Sequence, residues 1–181
     1  MSGRLRIALT KGRLQDKSVE LFEGAGLDCA PVRSPGRRLI HALPNYPLDV
    51  VLAKAPDVIT YVEHGVCDLG VVGKDTILEK GGAFYEVLDL GFGRCRFALA
   101  VKKGSDFYGT YKTRRVASKY PNVTRAFFEG KGMDVDIIKI EGSVELAPIL
   151  DLADGIVDIV ETGATLKENG LEPIEDVAQV S

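Results

Sequence analysis

The chain has 181 residues, 45% of them hydrophobic, enough for one large domain or two small lobes with a real core. Its formal net charge of −3 removes the electrostatic case for general nucleic-acid binding. Three separated cysteines, with no CxxC pair and only His41 and His64 beside them, speak against a zinc site and suit a reducing compartment.

From the N-terminus, RLRIALT is a short strand-like run too brief for a signal-peptide core, and no later run reaches membrane-spanning length. A cytoplasmic protein without membrane contact is expected. RLQDKSVELFEGAG then has helical spacing at Leu14, Val19, Leu21 and Phe22 and stops at Gly24 and Gly26. DCAPVR and RRLIHAL read as strands of a hairpin around Ser34-Pro35-Gly36. LDVVLAK is a buried strand, PDVITYVEHG a helix with Pro56 near its start, CDLGVVG another strand and DTILEK a short helix.

From Phe84 the texture changes to two long extended runs, FYEVLDLGF and RCRFALAVKK, joined through Gly91 and Gly93. A strand at RRVASK, a helix over PNVTRAFFEGKG, a strand at VDIIKIE and a helix at SVELAPILDLA follow. The strand GIVDIVE, the turn TGAT, a short helix LKENG and a last extended run complete the pattern. Alternating strands and helices with apolar strand interiors mean an α/β fold with mainly parallel sheets. The expected organisation is a first lobe over residues 1–90 with 172–181 returning to it, and a second lobe over 91–171. Ligands are expected in a cleft between the lobes.

Residues 154–171, DGIVDIVETGATLKENGL, carry the chemistry. Period-two alternation places Ile156, Asp158 and Val160 on one strand face. An acid in an apolar strand is costly if buried unpaired, so a polar ligand at the strand end would explain it. TGAT supplies a glycine for backbone freedom, two hydroxyls and N–H groups at a helix start, which together suit an anion. Acid followed by anion cradle suits a sugar phosphate, the carboxylate accepting from ribose hydroxyls and the amides holding the phosphate. A bare TGxT is also readable as an N-cap, with Asp158 solvated or salt-bridged.

The segment resembles the signature of the ATP phosphoribosyltransferase family: Glu145, Ala153, Ile156, Asp158, Ile159, Thr162, Gly163, Thr165 and Leu166 match in register. Asp151 stands where the family has glycine. LTKGRL (9–14) is similar to the family's N-terminal KGR motif, and LAKAPDVITYVEHGVCDLGVVGKD (52–75) to its central block. The resemblance covers essentially the whole chain at the length of the short form, although the family chain usually continues past Ser181 with a further strand and helix.

The resemblance implies a two-lobed fold like that of type II periplasmic binding proteins. It also implies a reaction joining N1 of ATP to C1 of 5-phosphoribosyl 1-pyrophosphate (PRPP), with Mg²⁺ on the substrate phosphates and release of pyrophosphate. It assigns the 5′-phosphate to Thr162, Gly163, Ala164 and Thr165 and the ribose hydroxyls to Asp158, with Asp154 and Glu161 as helpers. Lys11, Gly12 and Arg13 go to the ATP phosphates or pyrophosphate, Arg37 to the leaving group, and Arg94 and Cys95 to the nucleotide pocket. Arg13, Arg37 and Asp158 are the implied catalytic residues. Implied partners are further copies of the chain and a regulatory subunit resembling histidyl-tRNA synthetase.

Two other readings compete. A non-catalytic solute-binding or sensor protein would share the lobes, and a nucleobase-salvage phosphoribosyltransferase would share the cradle but with two adjacent acids before it. At a positive-φ position Asp151 is a tolerable though costlier substitute for glycine, whereas close approach of backbone to the ligand there would set its carboxylate against polyphosphate; weaker PRPP binding than in Asp151→Gly is expected.

Overall fold

The computed structural model describes residues 3–109 and 111–180 and divides into two compact units at Gly93/Arg94. The first unit contains β1 (Leu5–Thr10), α1 (Arg13–Gly24), α2 (Ala30–Arg33), β2 (Ile40–Ala42) and β3 (Leu48–Ala53), then α3 (Ala55–Glu63), β4 (Leu69–Val71) and α4 (Lys74–Lys80). Its four-stranded sheet has the order β2-β3-β1-β4, with β1 parallel to β3 and β4 and β2 antiparallel to β3. Alternation along β1 explains the layers. Ile7 and Leu9 enter one core with Val19, Val32 and Val50, while Ala8 enters another with Ala53, Val58 and Cys67.

The second unit contains β5 (Cys95–Lys102), β6 (Arg114–Ser118), α5 (Pro121–Gly130), β7 (Val135–Lys139) and α6 (Leu146–Ile149), then β8 (Gly155–Val160), α7 (Ala164–Glu168) and β9 (Leu171–Val180). Its five strands run β7-β6-β8-β5-β9. β6 lies parallel to β7 and β8, and β5 antiparallel to β8 and β9. Along β8, Ile156 and Val160 pack in one core and Val157 and Ile159 against the other.

Four expectations change. Residues 28–33 form no hairpin strand: Pro31 sits in the first turn of α2, where its missing N–H costs nothing, and the Asp28 carboxylate accepts the Ala30 N–H at 3.1 Å. β2 pairs with β3 instead. The run 84–92 forms no strand, and Tyr85, Val87 and Leu88 stand 94%, 79% and 76% exposed. The helix expected over SVELAPILDLA shortens to α6, a single turn. Finally, residues 171–180 do not return to the first unit; they pair with β5 from Lys102↔Leu171 to Cys95↔Val180. The alternation that marked them as extended is equally served by either sheet. Ser181, the last residue of that expected return, lies outside the described residues.

Candidate active site

The candidate residues other than Asp154 lie at one edge of each sheet, because parallel strands bring their carboxyl ends together and loops leave from there. In the first unit β1 ends at Thr10, opposite Ala53 of β3, and the Lys11 N–H continues the ladder by donating to the Ala53 carbonyl at 2.9 Å. Gly12 then turns the chain with φ 96° and ψ −144°, a conformation that a side chain resists, and Arg13 opens α1. Lys11, Gly12 and Arg13 are exposed.

Antiparallel pairing of β2 sets Ile40 opposite Val51, so the chain entering β2, with Arg37 and Arg38, arrives at that same edge. Lys54 follows β3 there as the N-cap of α3. The edge thus gathers Lys11, Arg13, Arg37, Arg38 and Lys54 within the width of three adjacent strands, roughly 10 Å. Such a concentration of cations suits a polyphosphate.

In the second unit the edge is built around β8. Asp158 shares a face with Ile156 and Val160 and lies opposite Ala98, whose small side chain leaves it space. Burial pushes the Asp158 carboxyl above its ordinary range. The Ile159 N–H bound to it at 2.8 Å and the charge of Lys119 act in the other direction, and Glu145 adds to the rise.

The strand ends in Glu161 and Thr162, and Gly163 takes the left-handed conformation at φ 77° to cap α7. Thr162 Oγ1 accepts the Ala164 N–H at a long 3.4 Å. The N–H groups of Gly163, Thr165 and Leu166 have no partner among the described residues. Thr162, Ala164 and Thr165 are exposed. Amides without acceptors beside two hydroxyls leave hydrogen-bond donors at this turn that an anion could take.

Strand register adds neighbours to that turn. Arg96 faces Val160, so Cys95 and Arg94 continue alongside Glu161 and Thr162. Ser118 faces Val157 in the parallel pair β6–β8, which carries Lys119 beside Asp158. The Ser118 hydroxyl fixes this end of β6 by donating to the Val157 carbonyl at 2.6 Å and accepting the Tyr120 N–H at 2.9 Å. Tyr120 packs edge-on against Phe97 with ring centroids 4.7 Å apart.

Lys119 was missed by sequence reasoning, and Glu145 was used only as a signature match. Both were legible as charges at element ends, but nothing local pairs them with Asp158.

Asp154 is placed differently. It precedes β8, four residues from Asp158 and so roughly 13 Å along the strand. Its Oδ2 accepts the Arg115 N–H at 2.8 Å, and its own N–H donates to the Arg115 carbonyl, a mutual clasp that starts the β6–β8 ladder. Its carboxylate is therefore occupied by backbone. Among the described residues no three His, Cys, Asp or Glu side chains converge into a group that could hold a metal ion.

A family model described as HisG: ATP phosphoribosyltransferase matches residues 54–181. The ATP phosphoribosyltransferase of Clostridium kluyveri is 60% identical over 178 residues, covering 98% of this chain and 81% of that protein. A chain of the ATP phosphoribosyl transferase (HisG:HisZ) complex from Thermotoga maritima superposes with a TM-score of 0.82 at 35% identity, over 97% of this chain and 84% of that one. The periplasmic aliphatic sulphonate binding protein SsuA from Escherichia coli aligns over 96% of this chain and 60% of its own. With a TM-score of 0.57 and 16% identity, it shows a shared fold alone. The chain belongs to the ATP phosphoribosyltransferase family.

Proposed function

We propose that this chain joins N1 of ATP to C1 of PRPP, with release of pyrophosphate, as the first step of histidine biosynthesis. The observation that carries the reading is the edge of β8, where a desolvated carboxylate lies next to unpaired amides and two hydroxyls, in a chain 60% identical to a family member over 98% of its length.

In the reaction the C1–oxygen bond to pyrophosphate breaks as the N1–C1 bond forms. Positive charge builds on the ribose and negative charge on the leaving group. The protein's task is positioning and electrostatic stabilisation, with no nucleophile of its own. Asp158 accepts hydrogen bonds from the ribose hydroxyls, whose donors offset the burial that raises its proton affinity. Glu161 assists at the end of the strand. Thr162, Gly163, Ala164 and Thr165 hold the 5′-phosphate. Within the first unit Arg13 and Arg37 are assigned to the pyrophosphate and Lys11 and Gly12 to the nucleotide phosphates; within the second, Arg94 and Cys95 are assigned to the nucleotide. Mg²⁺ would be held by the substrate phosphates and would supply charge neutralisation there.

The reading extends to partners and place. The Thermotoga complex pairs HisG with HisZ, and the likeness to it supports a histidyl-tRNA-synthetase-like regulatory subunit for this chain, together with assembly into a homo-oligomer. The buried thiols Cys29 and Cys67 suit the reducing cytoplasm. No helix among the described residues is long and apolar enough to cross a membrane.

The test is to incubate the chain with ATP, PRPP and Mg²⁺, alone and with the regulatory subunit, and to assay pyrophosphate and an N1-ribosylated nucleotide. Both products are expected in at least one arm. Their absence from both arms would refute the reading.

A further inference from the structure

Between α2 and β2 the chain makes a turn in which the Arg38 N–H donates to the Pro35 carbonyl at 3.2 Å, with Gly36 at φ 57°. Ser34, Arg37, Arg38 and His41 line an open pocket of about 380 Å³ beside this turn, and no carboxylate lines it. Neither the Arg37 nor the Arg38 guanidinium has a partner among the described residues, whereas neighbouring Arg33 is held by Glu23 through two hydrogen bonds of 2.9 and 2.6 Å.

His41 sits on β2 with only 3% of its surface exposed, and its Nε2 is sealed from solvent without a hydrogen-bond partner. Nδ1 is not among the sealed atoms. A neutral imidazole has one N–H and one bare nitrogen. Nε2 stays without a partner in either tautomer, but a proton on Nδ1 puts the ring's donor on the nitrogen that is not sealed. A histidine serving only as filler on the face it shares with Leu43 would not call for two unpaired arginines and an acid-free pocket at its side.

We infer that His41 is held as the Nδ1–H tautomer and donates that hydrogen bond to a polyphosphate anion held in this pocket by Arg37 and Arg38. The inference rests on the proposed function, which supplies two such anions: the triphosphate chain of ATP and the released pyrophosphate. It adds a residue to which no role in the reaction had been assigned.

Because the chain has two histidines, long-range ¹H–¹⁵N spectra of the full-length protein resolve His41 with His64 as an internal reference. Inorganic pyrophosphate is titrated in one arm and ATP in another, with AMP as the single-phosphate control. The free protein should show His41 protonated on Nδ1, and that resonance should move with pyrophosphate, ATP or both, while His64 and the AMP arm stay still. Movement in one arm alone identifies which anion the pocket serves. In parallel, His41→Phe should weaken pyrophosphate binding about tenfold, the loss of one charge-assisted hydrogen bond, with His41→Gln recovering most of it.

A His41 resonance unmoved at saturating pyrophosphate and ATP would overturn the inference, and so would a folded His41→Phe chain of unchanged affinity. The spectra need no variant, so misfolding of His41→Phe leaves the question decided. Turnover with a motionless His41 removes this inference only; absence of turnover with the regulatory subunit present removes the function beneath it.

Discussion

Asp158 is the residue on which structure and activity pull apart. Its carboxyl is raised by burial, so the native state binds its proton more tightly than the unfolded chain does. Stability therefore falls as pH rises from the ordinary carboxylate range through the raised value, and above that value the full penalty is present. Asp158→Asn keeps an oxygen for the Ile159 N–H and removes the charge. The variant should melt at a higher temperature than the parent at pH 8, with the difference shrinking under acid. On the proposed role of Asp158 as acceptor for the ribose hydroxyls, its turnover should drop at least about tenfold. Parallel melting curves at pH 4 and pH 8 and a steady-state assay check both halves. A variant that melts lower at pH 8 would show that Asp158 is paired rather than penalised.

Asp151 contrasts with it. It is the one non-glycine residue with positive φ among those described, at 59°, which accounts for glycine at this place in the family signature. Its carboxylate pairs with Lys102 Nζ at 2.6 Å and lies in the turn before β8, at the opposite end of the strand from Thr162–Thr165. The hydrogen bond from Lys102, more than any other influence, holds the carboxyl below its ordinary range. Its positive φ fits the conformational expectation for this aspartate, and with PRPP at the proposed Thr162–Thr165 site repulsion is no longer expected. Asp151→Gly should leave the KM for PRPP within about twofold of the parent value, as for a surface change remote from the ligand. A marked fall in that KM would bring the repulsion back.

At the scale of elements, two glycines make turns that differ in kind. Gly163, with φ 77° and ψ 5°, occupies the left-handed helical region that asparagine also enters. Gly12, with φ 96° and ψ −144°, lies where essentially only glycine is comfortable. Neither has a neighbour close enough to crowd an added Cβ, so backbone conformation alone decides the outcome. Gly163→Asn should cost well under about 1 kcal/mol, whereas Gly12→Asn should cost about 1–3 kcal/mol. Urea unfolding of the two variants would show the order, and equal losses would contradict it.

The same distinction governs how much was legible beforehand. Elements set by local chemistry were readable: the helix around Pro56, the alternation of β8, and the turn at TGAT that opens α7. Residues 28–33 were not, because a short apolar run with proline suits a strand or a helical turn until the Asp28 carboxylate is seen accepting the Ala30 N–H. What a single sequence withheld was register. Lys119 beside Asp158, Arg94 beside Thr162 and Asp154 clasped to Arg115 all depend on which residues face each other across strands distant in the chain.

At the scale of the molecule, the chain passes between its two units at Gly93/Arg94, and every strand pairs within its own unit. Residues 94–181 contain a five-stranded sheet with a buried cluster on each face, around Ile156 and Leu166 on one side and Phe97 and Phe128 on the other. Outlying pieces are tied to that sheet from within. Glu175 on β9 accepts the Tyr108 hydroxyl at 2.6 Å and pairs with Lys131 at 2.6 Å, and Arg96 pairs with Asp176. A segment with its own sheet, two cores and internal ties has what independent folding requires.

It also holds Asp158, Glu161 and the whole Thr162–Thr165 turn, while Lys11, Gly12, Arg13 and Arg37 belong to the other unit. Expressed alone, residues 94–181 should fold cooperatively in urea and bind ribose 5-phosphate within about tenfold of the affinity of the full chain. They should show no turnover with ATP and PRPP, because the cations proposed to hold polyphosphate are missing. Titration calorimetry with ribose 5-phosphate on both proteins makes the comparison. A folded fragment that ignores ribose 5-phosphate while the full chain binds it would refute the proposed sugar-phosphate site at the end of β8.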